Sequence, residues 1–138
     1  ILDGMTVQVG SETLILPLSH VLEALQPQAD DIRSMAGEGR VLRVRGDYLP
    51  LVSLNEYYRY GDRRSDESLV VVVEGDGHKL ALEVDELLGQ QQVVVKNLEN
   101  NYRRIEGISG ATILGDGRVA LIVDVGGLVR SLRVPQAA

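Results

Sequence analysis

The 138-residue chain has no cysteine, no tryptophan and no phenylalanine. Without cysteine there are no disulfides, no thiolate metal sites and no thiol nucleophile, a pattern that suits a reducing compartment. Without Trp and Phe the core has to come from Val, Leu, Ile and the five tyrosines, and β-branched residues of this kind favour strands. Positive charge is also scarce. The net charge is −6 and the pI about 4.9, which argues against a general nucleic-acid binder, since phosphate binding needs clustered cations. No apolar run approaches the ~18 residues of a membrane span, and no secretory signal opens the sequence. It starts with Ile1 rather than Met, so it reads as a piece of a longer protein. Of its 14 basic residues 12 are arginine, suited to fixed planar pairing with carboxylates.

Strand signals are abundant. "MTVQV" (5–9) and "TLILPL" (13–18) flank a short turn, and "RVLRVRG" (40–46) runs into "YLPLVSL" (48–54). "SLVVVVE" (68–74) and "HKLALEV" (78–84) flank Gly75-Asp76-Gly77, and "QVVV" (92–95) precedes "GISGATILGDGRVALIVDV" (107–125). Asp-Gly between apolar runs predicts a hairpin with a type I′ turn.

The order of signals repeats. Leu14, Leu16, Leu18, Val21 and Leu22 align at constant offset with Leu80, Leu82, Val84, Leu87 and Leu88. "GDYLPLVSLNEYY" (46–58) aligns with "GRVALIVDVGGLV" (117–129), which sets Ser53 on Asp124. With a weaker strand after each first hairpin (near 20–25 and 86–95), each half predicts about five strands. A half of ~65 residues is marginal alone, so the halves are expected to pack together as small barrels, which hide their edges. The expected division is one domain over 1–138. A first barrel covers roughly 5–60 and a second roughly 68–125, with possible strand exchange and a short C-terminal helix in "DVGGLVRSLRV" (124–134). "PLSHVLEALQP" (17–27) is too short to assign to helix or strand by periodicity. The polar stretches 26–39, 61–68 and 96–107 read as loops, the last with one helical turn.

Candidate chemistry is thin. Gly115-Asp116-Gly117 lacks the further glycines and the following helix of a phosphate loop, so it reads as a hairpin turn. Asp124 has no partner carboxylate in the sequence pattern and reads as a cap at a strand end, with Ser53 equivalent. His20 and His78 are far apart and stand in no metal-ligand spacing; both read as surface residues. No nucleophile motif is present. Catalytic, cofactor and metal sites are all expected to be absent. Left over is apolar surface: Val21, Leu22 and Leu25 around Glu23, and Leu87 and Leu88 in the second half, where exposed patches mark partner contacts. Arg45, in a tight turn before Gly46, reads as a fixed salt-bridge donor.

"ILDGMTVQVGSETLILPLSHVLEALQP", "RVLRVRGDYLPLVSL" and "GQQQVVVKNLENNYRRIEGISGATILGDGRVALIVDV" together resemble the C-terminal CheW-like regulatory domain of the bacterial chemotaxis histidine kinases (the CheA family), over essentially the whole chain. The resemblance implies an all-β fold of two intertwined five-stranded SH3-like barrels related by the pseudo-repeat, with short helices. It implies a non-catalytic role coupling an upstream ATP-binding kinase domain to chemoreceptors. The implied partners are the CheW adaptor and the cytoplasmic tip of the receptors, in the cytoplasm at the inner face of the membrane, with no cofactor, nucleic acid or membrane insertion. Val21 and Glu23 match the adaptor family's "V.E" segment, and Arg45-Gly46 its "RG" turn. The family often has Asp where this chain has Ser53. Two other readings stay open: a free-standing CheW-type adaptor, and a small-ligand-binding β-barrel, for which the missing Trp and Phe supply few platforms.

Overall fold

The computed structural model describes residues 1–37, 39–61, 69–96 and 105–133. The stretches 62–68 and 97–104, within the expected loops at 61–68 and 96–107, lie outside the described residues, as does the helical turn expected there.

The strands in chain order are β1 (Leu2–Val9), β2 (Glu12–Pro17), β3 (Val21–Leu25), β4 (Ile32–Met35), β5 (Gly39–Val44), β6 (Asp47–Ser53), β7 (Leu69–Gly75), β8 (His78–Val84), β9 (Glu86–Val93), β10 (Ile108–Ile113) and β11 (Val119–Val123). Two helices follow strand ends: α1 (Leu54–Tyr58) after β6 and α2 (Val125–Arg133) after β11. The first sheet has the order β10-β11-β2-β1-β9 and the second β3-β7-β8-β6-β5-β4.

Each sheet therefore takes its leading hairpin from one half of the chain and its remaining strands from the other. β1–β2 pairs with β9 and β11, while β7–β8 pairs with β3 and β6. The two exchange contacts at the hairpins, β2 with β11 and β6 with β8, are the parallel ones. Neither sheet matches a contiguous half such as 5–60 or 68–125. After β9, Lys96 bridges Ala111 of β10 through backbone bonds of 2.8 and 3.0 Å, closing the first sheet on itself. Gly110 permits that closure, because a Cβ there would sit 2.9 Å from the Lys96 carbonyl oxygen.

Three apolar clusters result, and they explain the unbroken hydrophobic runs. Val71, Val73, Leu80, Leu82, Leu14, Leu16, Met5 and Val7 meet in a common core between the sheets, joined by Val125, Leu128 and Val129 of α2. The alternate residues Val70, Val72 and Ala81 face the interior of the second sheet with Leu42, Leu49 and Leu51. Ile15, Ala120, Ile122 and Val93 fill the first. A strand buried on both faces has no solvent side, so "LVVVV" and "LIL" carry no polar alternation. Gly4 belongs to this packing, since a Cβ there would fall onto Ile15 Cγ2.

One open segment resolves, with the weaker strand expected near 20–25 present, and three local expectations change. The segment left open at 17–27 is a 3-10 turn at Leu18–His20 followed by β3. The presumed loop at 26–39 contains β4, an edge strand paired with β5 from Ile32↔Leu42 to Met35↔Gly39; only Ile32 packs inward, so its sequence has no amphipathic signature. The strand expected over 48–54 stops at Ser53, where the Ser53 hydroxyl accepts from Glu56 N at 3.2 Å and starts α1. The two Asp-Gly hairpins also differ. Asp76 and Gly77 have φ of 51° and 75°, a type I′ turn. Between β10 and β11 only Gly117 is left-handed, at 89°, closing a three-residue loop between Leu114 and Arg118.

Candidate functional site

Sheet-end strands and exposed apolar side chains coincide at the third strand of each repeat. β3 ends the second sheet and β9 ends the first, and these are the equivalent third strands of the two repeats. Along β3 the register passes from Val21↔Val73 to Glu23↔Val72, so Leu22 is an extra residue with no partner across the ladder. Along β9 it passes from Leu87↔Val7 to Gly89↔Thr6, which leaves Leu88 as the extra residue. Leu22 and Leu88 stand at the same offset as Leu14 and Leu80. Each repeat thus carries the same β-bulge, and each bulge turns a leucine outward: Leu22 is 51% exposed and Leu88 45%, with neighbouring Leu87 at 39%. Bulges re-aim side chains and interrupt an edge.

The remaining residues singled out by the sequence divide cleanly. Val21 is half-buried and packs against the common core, and Leu25 packs into the interior of the second sheet. Glu23 and Arg45 meet: Arg45 donates from Nε to Glu23 Oε2 at 3.1 Å and from a terminal nitrogen to Oε1 at 3.0 Å. This fork ties the β5–β6 turn to β3. Arg45 holds φ of 52° ahead of Gly46 at 87°, so a bulky residue occupies a left-handed position that the turn requires. The hydrogen bonds that Glu23 accepts, and then its charge, raise the Arg45 pKa above its ordinary value. Glu23 and Arg45 are therefore joined at the β3 edge that also carries Leu22; Leu87 and Leu88 lie on the edge strand of the other sheet.

Asp124, Asp116 and His20 are held in structural hydrogen bonds. The Asp124 carboxylate accepts from Gly127 N at 3.0 Å and caps α2, as Ser53 caps α1 at the equivalent place. Asp116 accepts from Arg118 N at 3.0 Å and Arg118 Nε at 2.7 Å, and these bonds lower its pKa. The His20 ring bonds the Glu74 carbonyl oxygen at 2.8 Å, and His78 is exposed. Among the described residues no three His, Asp or Glu side chains converge as a metal-ligand set, and no helix is long and apolar enough to cross a membrane.

Sequence reasoning missed a tyrosine cluster. Tyr58 donates to the Gly107 carbonyl oxygen at 2.8 Å and crosses Tyr57 edge-on, with ring centres 5.0 Å apart, while Tyr60 stacks on Tyr58 at 5.6 Å. Burial pushes both phenols up, Tyr60 to about 12 and Tyr58 beyond that. The signal was visible as "EYYRY", but its partner, Gly107, comes from the other half of the chain.

Comparison with known proteins follows the same outline. The CheW-like domain family matches residues 3–133. The chain is 56% identical over 130 residues to the chemotaxis protein CheA of Klebsiella aerogenes, covering 93% of this chain and 20% of that protein. It is 43% identical over 136 residues to CheA of Rhizobium meliloti, covering 96% and 18% respectively. It thus spans about a fifth of the length of these relatives. Among solved structures, the scaffolding protein TtCheW of Thermoanaerobacter tengcongensis superimposes with a TM-score of 0.72 at 16% identity, over 90% of this chain and 89% of that one. The fold is the double SH3-like barrel of that neighbour, the exchanged hairpins and three-part core accounting for its shape. Sequence and architecture agree: this chain belongs to the CheW-like domain family.

Proposed function

We propose that the chain is the coupling domain of a chemotaxis histidine kinase. In this reading it binds the CheW adaptor and the cytoplasmic tip of chemoreceptors, and so places an ATP-binding domain upstream in the same protein under receptor control. The observation that carries the reading is the match to CheA: high identity across nearly all of this chain and across only a fifth of its relative, as for one module of a larger protein. The CheW-like domain is itself non-catalytic.

The two bulged edges support the docking role. They present equivalent leucines from different sheets with different surroundings, a Glu23–Arg45 ion pair at one edge and the Leu87–Leu88 pair at the other. Two similar but distinct faces on one chain suit heterologous contacts, which close into rings or extend into arrays. Edge strands and apolar knobs need no cofactor, nucleic acid or bilayer. The domain works in the cytoplasm, held at the inner face of the membrane by the receptors. Titrating the purified chain with the CheW adaptor in a calorimeter tests the reading. Saturable binding at about micromolar concentration is expected, and no heat at tens of micromolar (roughly) sinks it. Deleting this domain from the full-length kinase is expected to abolish receptor control while leaving basal phosphotransfer in place.

A further inference from the structure

The first barrel carries an outward aliphatic row that its twin does not. Ile113 of β10 pairs with Val119 of β11, and both side chains are more than half exposed. Their neighbours Thr112 and Ala120 are buried, so the pair stands on the outer face. At the end of β9, Val93 faces the barrel interior and Val94, next along, is exposed. Just short of the Lys96–Ala111 bridge, Val94 and Ile113 line one recess of about 310 Å3. Leu2 pairs with Val93 and packs inward with it, which sets Ile1, almost wholly exposed, beside Val94. Four successive strands around the barrel, or the residues that extend them, thus each turn one aliphatic side chain outward, in the order Ile1, Val94, Ile113, Val119.

The repeat supplies a control. Tyr48 aligns with Val119 and pairs with Arg43, so an arginine and a tyrosine hold the place of Ile113 and Val119 in the second barrel. The fold itself therefore does not call for aliphatic residues here, and a row of them exposed on one face marks contact with another apolar surface. Position selects the occupant. The row begins at Ile1, so the polypeptide that leads into Ile1 emerges on it, and the tether holds that polypeptide at an effective concentration of about millimolar. The chain spans about a fifth of its CheA relatives, and on the reading above an ATP-binding domain precedes it. Leu88, at the docking edge assigned above, lies about 20 Å back along β9 from Val94 at about 3.3 Å per residue. We infer that this row docks the polypeptide immediately upstream of Ile1 through aliphatic side chains of its own, and so fixes how the preceding domain sits on the first barrel. The inference rests on the reading that the chain is one module of a longer kinase.

The test uses the full-length kinase without adaptor. A benzophenone side chain is placed at Ile113 and, in a second preparation, at Arg43, the equivalent place in the second barrel. After irradiation the cross-linked peptides are identified by mass spectrometry. The inference expects Ile113 to capture residues upstream of Ile1, with a yield independent of protein concentration, and Arg43 to capture none. Val94→Ser combined with Val119→Ser, both at exposed positions, is expected to abolish that capture and to leave the melting temperature of the isolated chain unchanged. No upstream capture, equal capture from Arg43, or a cross-link that survives the double substitution overturns it. So does capture that rises with protein concentration, which assigns the row to a second copy, or capture that saturating adaptor removes, which assigns it to the adaptor. Adaptor binding is read separately by calorimetry. Failure there leaves the capture result standing, and absent capture with adaptor binding intact overturns this inference alone.

Discussion

Asp124 sits in an apolar run where a lone carboxylate invites a catalytic reading, and the structure uses it as a helix cap. Replacing it with alanine removes the bond to Gly127 N and is expected to cost about 1 kcal/mol of stability, measured by urea denaturation. This role was legible because the repeat aligns Asp124 with Ser53, and two different capping residues at one position point to the backbone they share. The tyrosine cluster was not legible, because its hydrogen-bond acceptor lies in the other half of the chain. It also makes the fold sensitive to alkali. Tyr60 is protonated in the folded chain up to about 12, whereas an unfolded tyrosine ionises near 10. The raised folded value means that the unfolded state releases its proton first, so stability is full below about pH 10 and falls as pH rises toward 12. Denaturation curves across that range are expected to show the loss, and Tyr60→Phe to reduce it.

At the scale of elements, strands buried on both faces were the easiest to read: β2, β7 and β8 are continuous apolar runs because one face lines a barrel and the other the common core. β4 escaped, since an edge strand with a single inward residue leaves no periodic trace. The bulges at Leu22 and Leu88 were visible only as apolar residues. A bulge is a property of two strands in register, and neither β7 nor β1 is close in sequence to the strand it distorts. Closure of the first barrel depends on a similar distant contact. Gly110→Val would drive a side chain into the Lys96 carbonyl oxygen 2.9 Å from the first added carbon. The expected cost is about 2–3 kcal/mol, with hydrogen exchange accelerated at Lys96 and Ala111. Unchanged stability and protection would mean that this bridge does not hold the barrel shut.

For the molecule as a whole, the repeat was readable as two similar halves, but the exchange of leading hairpins was not fixed by any local signal. Parallel contacts between β2 and β11 and between β6 and β8 tie each half to the other. The separated halves, 1–61 and 69–138, are therefore expected to remain unfolded alone by circular dichroism and to regain β structure on mixing. Independent folding of either half would remove the basis for a shared core. The central claim is that one inseparable scaffold presents two equivalent bulged edges for docking. Its most direct test is calorimetric titration of the CheW adaptor against the wild-type chain, Leu22→Asp, Leu88→Asp and the double variant, each first shown to be folded. The account predicts that at least one single substitution weakens binding roughly tenfold or more, and that the double variant does not bind at tens of micromolar (roughly). A folded double variant with wild-type affinity contradicts it.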